Sequence, residues 1–164
     1  MSDARRVDQS MAAAASAILA DDAVDARLRT RYRQLPVMLH TAGLAATYAY
    51  VLSKSSGDDP LGRAYRRIAD GIRRYIGRNV LITGCGEHST DRQFLEAMGS
   101  CDRTEYARAA ATVSTLAGWL SRLAEARYRT ALAENAGAQR QAQATGDGRP
   151  PQSAGSPAEP GAGE

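Results

Sequence analysis

The sequence predicts an all-α fold, a compact bundle of about five to six helices with a central buried helix and a long C-terminal helix. Three observations carry this. Apolar residues recur at helical spacing through most of residues 3–134. Aromatics are few and Ala is abundant, which favours close-packed helices over a sheet. The single β-prone run, Asn79-Val80-Leu81-Ile82-Thr83, cannot build a sheet alone and reads as an extended connector or a brief strand. A chain of 164 residues with 43% apolar content is long enough for one domain with a proper core, expected over residues 1–136. From Gly137 the composition turns to Gln, Ala, Gly, Pro, Ser and Glu without periodicity, so residues 137–164 are expected to form a disordered tail dispensable for the fold.

In chain order, residues 3–20 read as an amphipathic helix with Val7, Met11, Ala14 and Ile18 on one face and Ser2 or Asp3 as cap. Asp21-Asp22 interrupts it and caps a second helix from about Ala23 to Gln34. Arg27, Arg29, Arg31 and Arg33 alternate along this helix and therefore fall on at least two faces. The residue before a proline tends to leave helical geometry, so Leu35-Pro36 marks a break. A new helix is expected to start there and run to Lys54, with Pro36 in its first turn. No charged residue occurs between Arg33 and Lys54, and Val37, Met38, Leu39, Leu44, Tyr48, Tyr50, Val51 and Leu52 cover most of its circumference. That pattern predicts the buried central helix, holding His40 as a core or interface histidine and Gly43 at a close approach. It is too short and too rich in small and polar residues to span a bilayer, which takes roughly 20 strongly apolar residues.

Ser55-Ser56-Gly57-Asp58-Asp59-Pro60 is a loop that starts the clearest amphipathic helix, Leu61 to about Gly77. At roughly 100° per residue, Leu61, Ala64, Tyr65, Ile68, Ile72, Tyr75 and Ile76 fill one side. Arg63, Arg66, Arg67, Arg73, Arg74 and Arg78 crowd the other, relieved only by Asp70. Asp91 to Met98 is a short helix with Phe94 and Leu95 facing the core. Asp102 with Glu105 forms a capping box for the longest periodic segment, about Arg103 to Glu134. Tyr106, Ala109, Val113, Leu116, Leu120 and Leu123 make its seam, with Trp119 alongside.

Function is narrowed mainly by exclusion. His40 and His88 are the only imidazoles, no paired acids stand at a spacing for metal-dependent phosphodiester chemistry, and Gly84-x-Gly86 lacks the βαβ context of a dinucleotide site. Cys85, His88 and Cys101 offer three zinc ligands where a structural site takes four. A non-enzyme with no cofactor is expected. Cys85 and Cys101 make no disulfide framework and the N-terminus lacks a secretory pattern, so the expected compartment is the cytoplasm. Charge carries the positive signal. Residues 1–136 hold nineteen Arg or Lys against fifteen Asp or Glu, and all but Lys54 of the basic residues are Arg. Guanidinium forks bind phosphate bidentately. A strip of nearly uniform sign on the Leu61–Gly77 helix therefore points to phosphates of a nucleic acid, through Arg63, Arg67, Arg74 and Arg78. The Arg residues repeat along the whole helix rather than near its N-terminal end, which argues for backbone contacts over helix-turn-helix base reading. The other reading of the same strip is a helical adaptor that binds an acidic protein.

The run from Tyr32 through Leu35-Pro36-Val37-Met38 and Gly43-Leu44 to Tyr48, Tyr50 and Lys54 resembles the small subunit of the Cmr complex, the type III-B CRISPR RNA-guided effector. That family carries Leu-Pro, an apolar pair, Gly-Leu, an aromatic-containing helix and a closing Lys. Tyr106 and the later Trp119-Leu120-Ser121-Arg122 are similar to its Trp-Leu-x-Arg helix, so the likeness spans about residues 5–130. Ala42 departs from the pattern, since many relatives place Asn there. The resemblance implies an all-α bundle without catalytic activity, acting in antiviral defence. It implies copies stacked beside backbone and large subunits of the complex, along a guide RNA–target RNA duplex whose target-strand phosphates basic residues hold. Lys54 and Arg122 are the basic positions inside the matched motifs, and Arg31 flanks the first.

Overall fold

The computed structural model describes residues 3–20 and 23–146, and these form helices and turns with no strand among them. The helices are α1 (Asp3–Leu19), α2 (Ala26–Ala42), α3 (Leu44–Ser53), α4 (Pro60–Arg78), α5 (Asp91–Ser100) and α6 (Arg103–Gly146). The chain divides into two compact units, Met1–Ala131 and Leu132–Glu164. The first holds α1 to α5 and most of α6; the described part of the second is the remainder of α6.

Within the first unit the central element is α4, which packs against α1, α2 and α3. Ala64, Tyr65, Ile68, Ala69, Ile72, Tyr75 and Ile76 are all buried, so the amphipathic pattern has its expected inner face. Asp59 caps the helix by accepting from the Gly62 amide at 2.9 Å, with Pro60 in the first turn. Around it, Met11, Ala15, Ile18 and Leu19 of α1 are buried, while Val7 is exposed. Phe94, Ala97 and Met98 of α5 complete the core with Ala109, Val113, Leu116, Ala117, Leu120 and Ala124 of α6. At 0% exposure Phe94 stacks edge-on to Tyr48, ring centroids 4.6 Å apart.

The expected central buried helix from Pro36 to Lys54 is replaced by two helices, and the break falls at Gly43 instead of Leu35-Pro36. Leu28, Tyr32, Leu35 and Leu39 form one buried stripe that runs straight past Pro36. Packing of that stripe outweighs the interior proline, whose ring and missing N–H cost about 3 kcal/mol in a helix. Gly43 has φ 85° and ψ 172°, open to glycine and costly for any other residue. Its amide still donates to the Leu39 carbonyl and its carbonyl accepts from Thr47, so one residue closes α2 and opens α3. Having no side-chain cap of its own, α3 takes one from α6: the Tyr106 hydroxyl accepts from the Ala45 amide at 3.1 Å. Neither helix is apolar all round. Val37 is 62% exposed, Tyr50 and His40 are exposed, and only Leu44, Thr47, Tyr48 and Val51 of α3 are buried.

Other boundaries shift for identifiable reasons. Asp25 caps α2, accepting from the Leu28 amide at 2.7 Å; Ser2 and the Asp21-Asp22 pair lie outside the described residues. Thr90 and Gln93 make the capping box of α5. Asp102 accepts from the Thr104 and Glu105 amides, but the Glu105 side chain accepts from the Thr83 hydroxyl, so the second box is only half made. The α6 helix continues past Glu134 to Gly146 because the segment, though lacking apolar periodicity, is rich in Ala and Gln, both good helix formers. Residues 147–164 of the expected tail lie outside the described residues.

No strand forms at Asn79–Thr83. The turn closes α4 with paired bonds, Val80 amide to the Gly77 carbonyl at 3.3 Å and Leu81 amide to the Ile76 carbonyl at 3.1 Å. This closure needs a left-handed residue after the cap, and Val80 takes it at φ 49° while 69% exposed. A β-branched residue there carries strain of about 1–2 kcal/mol. Val80→Gly is therefore expected to stabilise the domain by about 0.5–1 kcal/mol, part of the relief being offset by glycine's greater backbone entropy. A urea midpoint that falls in the variant would mean that the exposed side chain contributes more than its strain costs.

Candidate nucleic-acid interface

The strip expected on α4 separates by helical angle into two sets, Arg66 with Arg73 and Arg63 with Arg67, Arg74 and Arg78. Arg66 and Arg73, seven residues apart, leave the common face. Arg66 donates through Nε and Nη2 to the Ser55 carbonyl at 3.1 and 2.8 Å, anchoring the loop before α4. Arg73, its side chain 12% exposed, pairs with Asp70 at 2.6 Å and Asp91 at 3.2 Å and donates to the Ser89 carbonyl. Arg73 is spent within the fold, whereas Arg66 stays exposed on a neutral acceptor but off the face that the other four share.

Arg63, Arg67, Arg74 and Arg78 keep the shared face, at spacings of four, seven and four residues. Arg63 is exposed and bonds the Asp58 carbonyl, a neutral acceptor that leaves its charge in place. Arg67 is half-buried, its Nε donating to the Ile18 carbonyl of α1 at 3.2 Å. Arg74 is exposed. Arg78 pairs with Glu87: the hydrogen bond holds the guanidinium above its ordinary pKa and the carboxyl below its own, so part of this charge is spent within the chain. Arg67, Arg74 and Arg78 line one groove of about 320 Å³ between α1 and α4, floored by Ala14, Ile18 and Tyr75. Asp70 also lines it, with one carboxylate oxygen already held by Arg73.

Lys54 and Arg31 come from different helices and meet across an aromatic pair. Lys54 ends α3 with Nζ 5.8 Å from the centre of the Tyr50 ring. Tyr50 lies edge-on to Tyr65, centroids 6.2 Å apart. Burial and the Tyr50 hydrogen bond push the Tyr65 phenol up to about 12, and the nearby Arg31 charge works against both. Arg31 also donates to Gln34 at 3.1 Å. Tyr50, 36% exposed, thus carries one cation, Lys54, over its own ring, while the Arg31 charge acts on its partner Tyr65. Nothing in the sequence signalled the Tyr50–Tyr65 contact, which joins α3 to α4.

Arg122 stands apart from both groups. It lies on α6 with its guanidinium 5.9 Å from the Trp119 ring centre, in a cleft that also holds Arg29, Arg33 and Arg129. Of these, Arg29 and Arg129 escaped sequence reasoning because they converge only through Glu125, ninety-six residues from Arg29.

Among the described residues no three His, Cys, Asp or Glu side chains converge as a metal-ligand set; His88 is exposed and Cys85 buried. No helix among them is long and apolar enough to cross a membrane.

The sequence pattern of a family described as CRISPR-associated protein (Cas_Cmr5) matches residues 4–127, more than half of the chain. No curated protein and no solved structure matches it.

Proposed function

The chain belongs to the Cas_Cmr5 family of CRISPR-associated proteins, the small subunits of the type III-B Cmr complex, and from that premise we propose how it works there. It is a non-catalytic structural subunit. Copies stack along the guide RNA–target RNA duplex beside the backbone and large subunits, and the basic face of α4 holds target-strand phosphates. The observation that supports this most is the placement of Arg67, Arg74 and Arg78 along one groove, with Arg63 one turn further on the same face. A phosphate row meeting such a face gains charge-assisted bonds at each step without any base being read. Lys54 and Arg31 extend the contact, and the exposed Tyr50 ring beside Lys54 offers a surface for a base or ribose. Arg122 adds a further cation on α6.

This reading expects the isolated protein to bind single-stranded RNA weakly and without sequence preference. The four α4 contacts alone give a log–log salt slope of about −3 for a single strand, so a tenfold rise in salt weakens binding by nearly three orders of magnitude or more. Combining Arg63→Gln with Arg74→Gln removes two contacts and is expected to flatten the slope by about 1.4. Fluorescence anisotropy of a labelled oligoribonucleotide across a salt series measures both. An affinity that stays flat with salt, or a slope the double variant leaves untouched, would sink the assignment of phosphate contacts to α4. Capture of an acidic protein without RNA would favour the adaptor role instead.

A further inference from the structure

The cleft between α2 and α6 holds four guanidinium groups around one carboxylate. Its lining is Arg29, Arg33, Ser121, Arg122, Glu125 and Arg129, around an open cleft of about 420 Å³. Helical spacing sets it up: Arg29 and Arg33 are four residues apart on α2, and Arg122, Glu125 and Arg129 share a face of α6. Glu125 divides its two oxygens, Oε2 taking Arg29 at 2.5 Å and Oε1 taking Arg129 at 2.9 Å. The hydrogen bond from Arg29 holds the Glu125 carboxyl below its ordinary range, so it remains an anion at neutral pH. Arg29 is fixed a second time, its guanidinium lying 4.8 Å from the centre of the Tyr128 ring.

Both oxygens of Glu125 are therefore engaged, and two arginines are left without such a partner. Arg33 and Arg122 are exposed and have no carboxylate within ion-pair distance among the described residues. Four cations against one anion leave a strong local excess, and like charges one helical turn apart destabilise a helix. A fold that fixes two of these arginines in place beside two unneutralised ones has the form of an anion receptor: the fixed pair sets the field and the free pair closes on the ligand. The hydroxyl of Ser121 supplies a neutral donor at the same wall.

We propose that this cleft is a binding site for a phosphate-class anion, with Arg33 and Arg122 as its direct ligands and Arg29 and Arg129 as flanking cations positioned by Glu125. The anion is either a phosphodiester of a polynucleotide or a free phosphate. The site shares no residue with the α1–α4 groove. It includes Arg122, which the proposed RNA contact also uses, and so its polynucleotide form deepens that reading while its free-phosphate form stands apart from it. Trp119, the only tryptophan of the chain, neighbours Arg122 and serves as its reporter.

The test titrates the full chain with inorganic phosphate and with a short oligouridylate, using potassium chloride at matched ionic strength as control. Trp119 emission and equilibrium dialysis are read together. A saturable response to at least one phosphate probe is expected, absent with chloride. Arg33→Gln, an exposed change that leaves the reporter pair intact, is expected to weaken binding by about tenfold or more. Arg63→Gln with Arg74→Gln on α4 is expected to leave the emission titration within about twofold of the parent, which separates this site from the α4 reading. Saturation by oligouridylate at much lower concentration than by phosphate assigns the site to a polynucleotide backbone, and the reverse order to a free phosphate compound. Binding unchanged in Arg33→Gln, an equal response to chloride, or no bound probe by dialysis overturns the proposal.

Discussion

Gly77→Ala is expected to destabilise the domain by about 3 kcal/mol or more, the upper end of what overpacking costs. Gly77 is buried in the last turn of α4, facing the Gly86–Glu87 peptide of the following loop. An added Cβ would fall inside the contact distance of the Gly86 carbonyl group and 2.6 Å from the Glu87 amide nitrogen. These are backbone atoms, so no side-chain rotamer can relieve the collision. The loop cannot simply retreat, because it is held at both ends. Gly86 and Ser89 bond each other, the Ser89 carbonyl accepts from Arg73, and Glu87 holds Arg78. Moving it opens those contacts too. Gly118→Ala provides the control of opposite sign. Gly118 lies inside α6 with nothing within 4 Å of its added methyl, so alanine's better helix propensity should raise stability by up to about 1 kcal/mol. Urea unfolding of the two variants checks the pair. Equal midpoints would show that the α4–loop contact yields more readily than its backbone character implies.

Local rules found most of the helices and misplaced their joints. The inner face of α4 was readable because its apolar residues keep strict periodicity and Asp59-Pro60 marks its start. The α2–α3 joint was not. Pro36 carries a strong local bias against helix, yet the residues that overrule it, Tyr32, Leu35 and Leu39, do so through partners distant in sequence. The conformation that makes Gly43 the true break leaves no mark in a one-dimensional pattern. The absence of charge from Arg33 to Lys54 suggested burial all round, but a helix can expose Val37, Thr41 and Ala46 at little cost, since exposed apolar residues are common on protein surfaces. Within the candidate interface, the face shared by Arg63, Arg67, Arg74 and Arg78 follows from spacing alone. The same spacing sets Arg66 and Arg73 apart from that face, but that they hold Ser55, Ser89 and Asp91 does not follow from it. The contact of Tyr50 with Tyr65, and that of Arg29 with Glu125, lie between helices and periodicity does not report them.

Arg73 is expected to be the arginine on α4 that the fold can least lose, and Arg73→Leu should cost about 2–3 kcal/mol. Its guanidinium joins three elements: Asp70 on its own helix, the Ser89 carbonyl in the loop, and Asp91 at the start of α5. Asp91 in turn accepts from the Tyr48 hydroxyl of α3 at 2.6 Å. Burial alone would lower the Arg73 pKa, but the hydrogen bond to Asp70 and the surrounding negative charge outweigh it and raise the value. Nε lies 3.2 Å from Asp91 Oδ1 yet is not aligned for a hydrogen bond, so that contact is an ion pair only. The carboxylates are 39% and 47% exposed and can be rehydrated, which holds the loss below that of a fully buried pair. Arg73→Lys keeps the charge but not the fork, and should recover less than half of the difference. Coupling between Arg73→Leu and Asp91→Asn should amount to about 1 kcal/mol in a double-mutant cycle, and additive losses would remove Asp91 from the network. Alkaline unfolding supplies an independent reading. Burial first, and then the bond to Asp91, hold the Tyr48 phenol well above an ordinary tyrosine. The unfolded chain therefore loses this proton near pH 10 while the folded chain keeps it. The contribution is fully present below pH 10, declines from there upward and is gone only above the raised folded pKa. Tyr48→Phe should remove that part of the alkaline loss while lowering stability at pH 7. A variant that unfolds with the parent's full pH dependence above pH 10 would show that Tyr48 is not the group that resists ionisation.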